Sequence, residues 1–172
     1  MPDAEIRDEN DDPVISIGLL SERVGLSVSA VRKYEKEGLI IAHRTASGRR
    51  LFSHEDIRRI RNVQHLIQDL GLNIEGIRRM QALLPCWDLH PCSAQTRETC
   101  PAYQETTRPC WTIKGVDCAP QANQCRRCVV YRLGSLSTEN IKRLLHNHND
   151  SQNAGAPIRE LLQRQKNPKR EG

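Results

Sequence analysis

The chain has 172 residues, of which 37% are hydrophobic and 3% are aromatic. This apolar content supports only a modest core, so we expect one ordinary domain or two small ones rather than a large enzyme. No apolar run reaches the roughly 18 residues that span a bilayer, and the acidic start does not resemble a signal peptide. The sequence therefore predicts a cytoplasmic protein with no membrane attachment, in a reducing compartment where stable disulfides are uncommon.

The net charge of +5 is unevenly spread. Residues 1–13 carry six acidic and one basic side chain and are predicted to be a disordered leader, whereas 14–84 carry twelve basic and seven acidic side chains. Residues 85–172 repeat this excess, with thirteen basic and eight acidic side chains. A basic surface suits a polyanion such as nucleic acid, but a solvated surface explains so small an excess nearly as well.

Two short helices are predicted directly after the leader. The segment SIGLLSERVGL has an N-cap at Ser16 and a stop at Gly25, and SVSAVRKYEKEGL has an N-cap at Ser27 and a stop at Gly38. Two short helices joined by a glycine-containing turn are typical of a helix-turn-helix. The residues predicted to lie at inward helical spacing are Ile17, Leu20 and Val24 in the first helix and Val28, Val31 and Glu35 in the second.

A small hairpin and two further helices complete this region. In LIIAHRTASGRRLFS, the apolar pairs Ile40-Ile41 and Leu51-Phe52 flank a turn signal, which predicts a wing. A helix capped by Ser53 and ending at Gly71 follows, and a shorter one runs from Asn73 to just before Pro85. The longer helix is predicted to turn Ile57, Ile60, Val63, Leu66, Ile67 and Leu70 inward.

Polar side chains on the second helix and the wing are candidates for DNA contact. A helix of this kind enters the major groove, where basic and hydroxyl side chains meet phosphates and base edges. The candidates are Ser29, Arg32, Lys33 and Lys36 on the helix and Arg44, Arg49 and Arg50 on the wing.

Residues 15–84 resemble the winged helix-turn-helix domain of MerR-type transcriptional regulators. The resemblance lies in VRKYEKEGL, SGRRLFS and LGLNIEGIRRM, and the last of these is also similar to the heat-shock repressor branch, HspR. It implies that Arg32 and Tyr34 contact DNA from the recognition helix, with Lys33 in place of a common aromatic residue, and that Arg44 and Arg50 meet phosphates. It also implies double-stranded promoter DNA with an inverted repeat as the partner, with RNA polymerase as a further one.

The sequence departs from this family after Leu84. The family ordinarily continues into one long helix that pairs with its partner's to form the dimer. Here Pro85 interrupts the helix, and the following 45 residues have no helical apolar period of the required length. We therefore expect a homodimer formed through a different contact.

Residues 85–132 form a cysteine-rich module. It has few aliphatic residues and repeated prolines, so it cannot fold on apolar burial alone and needs covalent or metal staples. Its seven cysteines are the candidate metal ligands: Cys86, Cys92, Cys100, Cys110, Cys118, Cys125 and Cys128.

Three chemistries compete for these thiols. A disulfide framework conflicts with a reducing compartment and with an odd number of cysteines. Zinc favours paired motifs, of which Cys125-x-x-Cys128 is the one example, with His90 as an extra ligand. An iron–sulfur cluster accepts four thiolates at irregular spacing beside prolines, as at Cys100-Pro101. The sequence favours the cluster and leaves zinc as the alternative.

A Cys-Trp dipeptide occurs twice, at Cys86-Trp87 and Cys110-Trp111, each followed by another cysteine near a proline. With CPAY and CRRCVVY, this order resembles the small two-CW cysteine domain, which does not settle the ligand chemistry. The tryptophans either shield a metal site from water or are simply the core of the module.

Residues 133–172 are predicted to hold a short helix in STENIKRLLHNH and a flexible basic tail. The predicted fold is thus mainly α: a winged helix-turn-helix, a small irregular cysteine-rich metal-binding module and a C-terminal helix. The leading hypothesis is a non-enzymatic DNA-binding regulator whose module senses redox state, a gas or a metal. The alternatives are a structural zinc module for dimer or partner docking and, less favoured, a thiol oxidoreductase using Cys125 and Cys128.

Overall fold

The computed structural model of the protein describes residues 11–90, 92–116, 118 and 122–134. Most of the predicted leader, and the predicted C-terminal helix and tail from residue 135, lie outside the described residues. The chain divides into two compact units: the first comprises residues 1–78 and 121–123, and the second comprises residues 79–120 and 124–172. Among the described residues, no helix combines the length and apolar character that crossing a bilayer requires.

Short helices and one small sheet build the first unit, as predicted. The elements are β1 (Ile15–Ser16), α1 (Ile17–Val24), α2 (Val28–Lys36), β2 (His43–Arg44), β3 (Arg50–Phe52), α3 (His54–Gln68) and the start of α4 (Ile74–Ala82). The antiparallel sheet has the order β1-β3-β2, with Ile15 opposite Phe52 and His43 opposite Leu51.

The wing hairpin is present, but its first strand differs from the prediction. It is the polar pair His43–Arg44 rather than the apolar pair Ile40-Ile41, and Ile40 is instead a core residue of the preceding loop, 1% exposed. The third strand, β1, was not predicted, because a two-residue strand has no alternation to detect.

Side-chain caps set the starts of the helices. The hydroxyls of Ser16, Ser27 and Ser53 accept from the backbone N–H groups of Leu19, Ala30 and Asp56, and Ser53 and Asp56 form a reciprocal capping box. At the start of α4, Asn73 Oδ1 accepts from Gly76 N at 2.7 Å. Gly25 ends α1 with a left-handed φ of 66°, a conformation that suits glycine. The predicted caps are confirmed.

The core of the first unit joins helices α1, α2 and α3 to strand β3. Leu20 of α1, Val31 of α2, Phe52 of β3 and Ile60 of α3 are each 0% exposed. One inward residue was predicted wrongly: Leu70 is 49% exposed, because α3 ends at Gln68 and Leu70 no longer follows the helical period.

Two charged side chains, those of Asp56 and Arg59, are buried in this unit. Arg59 of α3 is 1% exposed, and its Nε donates to the backbone oxygen of Leu39 at 2.5 Å. A buried guanidinium must have hydrogen-bond acceptors, so Arg59 ties α3 to the segment that follows α2.

The second unit consists of short helices joined by loops. The predicted absence of a long helix after Leu84 is confirmed within the described residues, where no helix there exceeds six residues. Tyr131, Val130 and Leu133 are buried, and Gln81 Nε2 donates to the backbone oxygen of Gly134 at 2.8 Å. The helices are α5 (Cys86–Leu89), α6 (Ala94–Thr99), α7 (Pro101–Gln104), α8 (Ala122–Arg127) and α9 (Val129–Leu133), with a 3-10 turn at Cys110–Thr112.

Candidate nucleic-acid interface and thiol cluster

The predicted DNA-contacting residues of α2 share one solvent-facing side of the helix. Ser29, Arg32, Lys33 and Lys36 are all exposed, and their spacing places them on neighbouring turns of one face. We call these four residues the cationic row. Because it presents three positive charges and a hydroxyl to solvent, it can approach phosphates and base edges.

Tyr34 lies on the opposite side of α2 from the cationic row. It is 8% exposed, and burial raises the pKa of its hydroxyl. It follows Val31 by one helical turn, so the same periodicity that buries Val31 buries Tyr34. The structure thus groups Tyr34 with the core, and its predicted DNA contact stays a prediction.

Glu35 links the recognition helix to both strands of the wing. Arg44 Nη2 of β2 donates to Glu35 Oε1 at 2.9 Å, and Arg50 Nε of β3 donates to Glu35 Oε2 at 2.6 Å. Arg44 and Arg50 are directly opposite each other in the sheet, where like charges repel. The carboxylate therefore offsets this repulsion and orients two side chains predicted to meet phosphates.

The remaining wing candidate, Arg49, lies at the exposed end of the hairpin. Its backbone N–H donates to Thr45 Oγ1 at 3.0 Å, and Gly48 N donates to the Thr45 backbone oxygen at 2.9 Å. These bonds close the turn and leave the Arg49 side chain directed to solvent. Sequence reasoning identified the three wing arginines but missed Glu35, which it assigned only to the inward helical spacing.

We expect Glu35→Gln to lower the ratio of specific to non-specific DNA affinity several-fold, because Arg44 and Arg50 lose their shared anchor. The free energy of unfolding should fall by less than about 1 kcal/mol, since partly exposed ion pairs contribute little. Fluorescence anisotropy with an operator selected from genomic fragments, and with random duplex, measures the ratio.

The matched control for this variant is Glu37→Gln. It removes the same charge from a carboxylate that pairs with Arg78 rather than with the wing, Nη1 to Oε2 at 3.4 Å. Both variants should raise non-specific affinity equally, because both remove one negative charge near the polyanion. An identical specificity ratio in the two variants would show that Glu35 does not position the wing.

The second unit brings most of its thiols together. The thiols of Cys86 and Cys110 are hydrogen-bonded to each other. This bond lowers the pKa of Cys86 to about 7 and, together with burial, raises the pKa of Cys110. Electrostatic interactions join these two to further thiols, so that the thiol cluster comprises Cys86, Cys100, Cys110, Cys118, Cys125 and Cys128.

Burial differs among the members of the thiol cluster. Cys100 and Cys125 are buried, Cys118 is exposed, and the others are partly buried. Burial is the main cause that raises the pKa of Cys125, to about 11, and of Cys118 and Cys128. A metal ion would have to displace protons that these thiols hold firmly at neutral pH.

Cys92 stands apart from the thiol cluster. Its sulfur donates to the backbone oxygen of Ser93 at 3.7 Å, and its own backbone oxygen accepts from Arg97 Nη2 at 3.0 Å. His90, the predicted extra zinc ligand, is the C-cap residue that follows the last residue of α5. Within the described part of the chain, no three His, Cys, Asp or Glu side chains already surround a single ion position. The thiols therefore lie near one another but are not arranged as the complete ligand set of one metal ion.

Each tryptophan of the second unit packs edge-on against a tyrosine. The ring centroids of Trp87 and Tyr103 are 5.1 Å apart at 80°, and those of Trp111 and Tyr131 are 5.2 Å apart at 90°. T-shaped contacts of this kind are favourable beyond simple burial. They support the prediction that the tryptophans form core packing, without testing whether they also shield a metal.

Residues 15–84 are similar to one family of known proteins. This segment matches the family described as MerR HTH family regulatory protein. The chain is 40% identical over 70 residues to a protein named heat shock protein HspR of Streptomyces coelicolor, covering 41% of this chain and 46% of that protein. It is 41% identical over 71 residues to the HTH-type transcriptional regulator TnrA of Bacillus subtilis, covering 41% of this chain and 64% of that protein.

A third relative is the HTH-type transcriptional activator SoxR homolog of Chromobacterium violaceum, 33% identical over 75 residues, covering 44% of this chain and 50% of that protein. This chain thus spans about half to two thirds of the length of these relatives. All three alignments have about the length of the family match, which includes the cationic row, the wing and Glu35. Residues 15–84 are therefore similar to the helix-turn-helix domain of MerR-family regulators.

Proposed function

We propose that the protein is a non-enzymatic transcriptional regulator that binds promoter DNA through the cationic row and the wing. The observation that carries the proposal is the pairing of an exposed basic helix face with a wing held by Glu35, inside a MerR-type domain. Relatives of this domain are named as transcriptional regulators rather than enzymes. The proposed site of action is the cytoplasm, where such DNA is found.

Arg32→Ala is expected to weaken specific binding by about 1–3 kcal/mol, because a side chain of the cationic row that reads a base edge is lost. Arg44→Ala is expected to weaken specific and random DNA alike and to reduce the salt slope by about 1, as a phosphate contact does. Titrations of both duplexes over a series of salt concentrations distinguish the two residues. Equal losses on both duplexes for Arg32→Ala would remove Arg32 from base readout.

We further propose that the second unit binds an iron–sulfur cluster and senses redox state, a gas or a metal through it. The support is a set of six interacting thiols in a unit with few aliphatic residues. A bound cluster would supply a reversible one-electron or ligand-exchange chemistry. The chain's own thiols would bind it after losing their protons, and the tryptophan–tyrosine pairs would limit access of water.

Sensing requires that two states of the second unit bias two states of the DNA-binding domain. We propose that this coupling acts through a homodimer contact other than a long family-type helix, since no helix longer than six residues follows α4 in the described residues. RNA polymerase is the further partner proposed for the DNA-bound state.

Anaerobic purification followed by an absorption spectrum and by iron, sulfide and zinc analysis tests the metal proposal. Broad visible absorption that air bleaches would support the iron–sulfur cluster. A colourless protein with stoichiometric zinc would replace it with the structural-zinc alternative, which the interacting pair Cys125 and Cys128 favours. A protein that retains none of these would refute both.

A further inference from the structure

The second unit is built from two equivalent halves. Each half opens with a Cys-Trp dipeptide, at Cys86-Trp87 and Cys110-Trp111. Each then reaches a Cys-x-x-Tyr segment, Cys100 to Tyr103 and Cys128 to Tyr131. The two halves therefore share this Cys-x-x-Tyr segment in addition to the Cys-Trp dipeptide.

The two halves also have the same local structure. Cys86 and Cys110 are each the first residue of a short helical turn, α5 and the 3-10 turn. Cys100 and Cys128 each occupy the N-cap position of a short helix, α7 and α9, three residues before the tyrosine.

The aromatic contacts confirm that the halves are equivalent. In each half the tryptophan meets the tyrosine of its own half, edge-on and at nearly the same centroid distance, 5.1 Å and 5.2 Å. Each pair therefore anchors the first cysteine of its half to the second. Two equivalent halves present four equivalent cysteines.

These four cysteines lie together. Cys86 is hydrogen-bonded to Cys110, and Cys128 interacts with both. Helix α5, which begins at Cys86, is in contact with helix α9, which begins directly after Cys128. Cys110 packs against the small core cluster that includes Cys100. The repeat thus brings Cys86, Cys110 and Cys128 into interaction, and Cys100 adjoins Cys110 through the core cluster.

We propose that the four repeat-related thiols, those of Cys86, Cys100, Cys110 and Cys128, are the ligands of one metal centre held between the two halves. This inference rests on the proposed metal-binding function and names its ligands. On binding, each thiol releases one proton to solvent as its sulfur bonds to the metal, which balances the charge of the step.

The other three cysteines do not fit the repeat. Cys92 and Cys118 occupy the intermediate position of their halves, where Cys92 bonds to the neighbouring backbone and Cys118, although it interacts with Cys86, Cys100 and Cys128, is exposed. Cys125 has no counterpart in the first half. A ligand set that follows the repeat therefore excludes Cys92, Cys118 and Cys125.

Alkylation of the full-length protein tests the ligand set without any substitution. Protein reconstituted anaerobically with ferrous iron and sulfide, and a parallel sample loaded with zinc, are compared with chelator-stripped protein by mass spectrometry of iodoacetamide-labelled peptides. We expect metal-dependent protection at Cys86, Cys100, Cys110 and Cys128. Labelling of Cys92, Cys118 and Cys125 should be the same with and without metal.

Single serine variants provide the second measurement. Cys86→Ser, Cys100→Ser, Cys110→Ser and Cys128→Ser should each lose most of the metal that survives gel filtration, whereas Cys92→Ser and Cys125→Ser should retain the wild-type content. Metal-dependent protection of Cys118 or Cys125 in place of any of the four overturns the ligand set while leaving the metal proposal intact. Wild-type protein that binds neither iron and sulfide nor zinc overturns the metal proposal itself.

Discussion

Phe52→Ala is expected to lower the free energy of unfolding of the first unit by about 3–5 kcal/mol. Phe52 is the one phenylalanine of the chain and is 0% exposed. It lies on β3, opposite Ile15 of β1 and two residues from Arg50, so its ring packs beneath the wing. Its truncation removes the largest apolar side chain of this core and leaves a cavity.

Such a loss approaches the whole stability of a small domain, which is commonly about 5–15 kcal/mol. Urea titration followed by far-ultraviolet circular dichroism measures it, and DNA binding should fall in parallel. Leu51→Ala is the matched control, because Leu51 neighbours Phe52 on β3 but is only half-buried. We expect it to cost less than half as much. Equal losses for the two variants would mean that Phe52 is not the centre of this core.

Local chemistry made most of the first unit predictable. Ser16, Ser27 and Ser53 accept N-terminal N–H groups in the structure as their positions in the sequence indicate, and Gly25 takes the left-handed conformation expected at a helix end. These features depend on contacts between residues three or four apart, and such contacts can be read from sequence.

Contacts between distant segments were not predictable in the same way. Glu35 has the helical spacing of an inward residue, and nothing in its neighbours shows that Arg44 and Arg50 will fold back onto it. Tyr34 shows the opposite case. Its spacing from Val31 indicates burial, and the expected DNA contact came from the family resemblance instead.

In the second unit, sequence indicated that the cysteines matter but not which of them come together. The Cys-Trp dipeptides and the two tyrosines are visible in the sequence, but the packing of each tryptophan on the tyrosine of its own half is shown only by the ring contacts. The proximity of the thiols depends on how the short helices pack, as in the contact between α5 and α9, and cysteine spacing does not show this.

The two halves of the second unit share their local structure, but their aromatic side chains are not equally buried. Trp111 is 9% exposed and meets Tyr131, itself 4% exposed, whereas Trp87 is only partly buried and its partner Tyr103 is 44% exposed. We therefore expect Trp111→Ala to cost about 3–5 kcal/mol in the metal-free protein. A unit this small rarely gains more than about 3–5 kcal/mol from its core, so the variant should unfold unless metal is bound.

Trp87→Ala is the matched control, because it removes the same ring from the equivalent place in the other half. It should cost at most half as much, since more of its ring is already in water. In each variant the fluorescence of the remaining tryptophan follows unfolding in urea, with and without metal. If Trp87→Ala destabilises the metal-free unit as much as Trp111→Ala, the two halves contribute equally to its stability, and the difference in burial between the two tryptophans does not decide it.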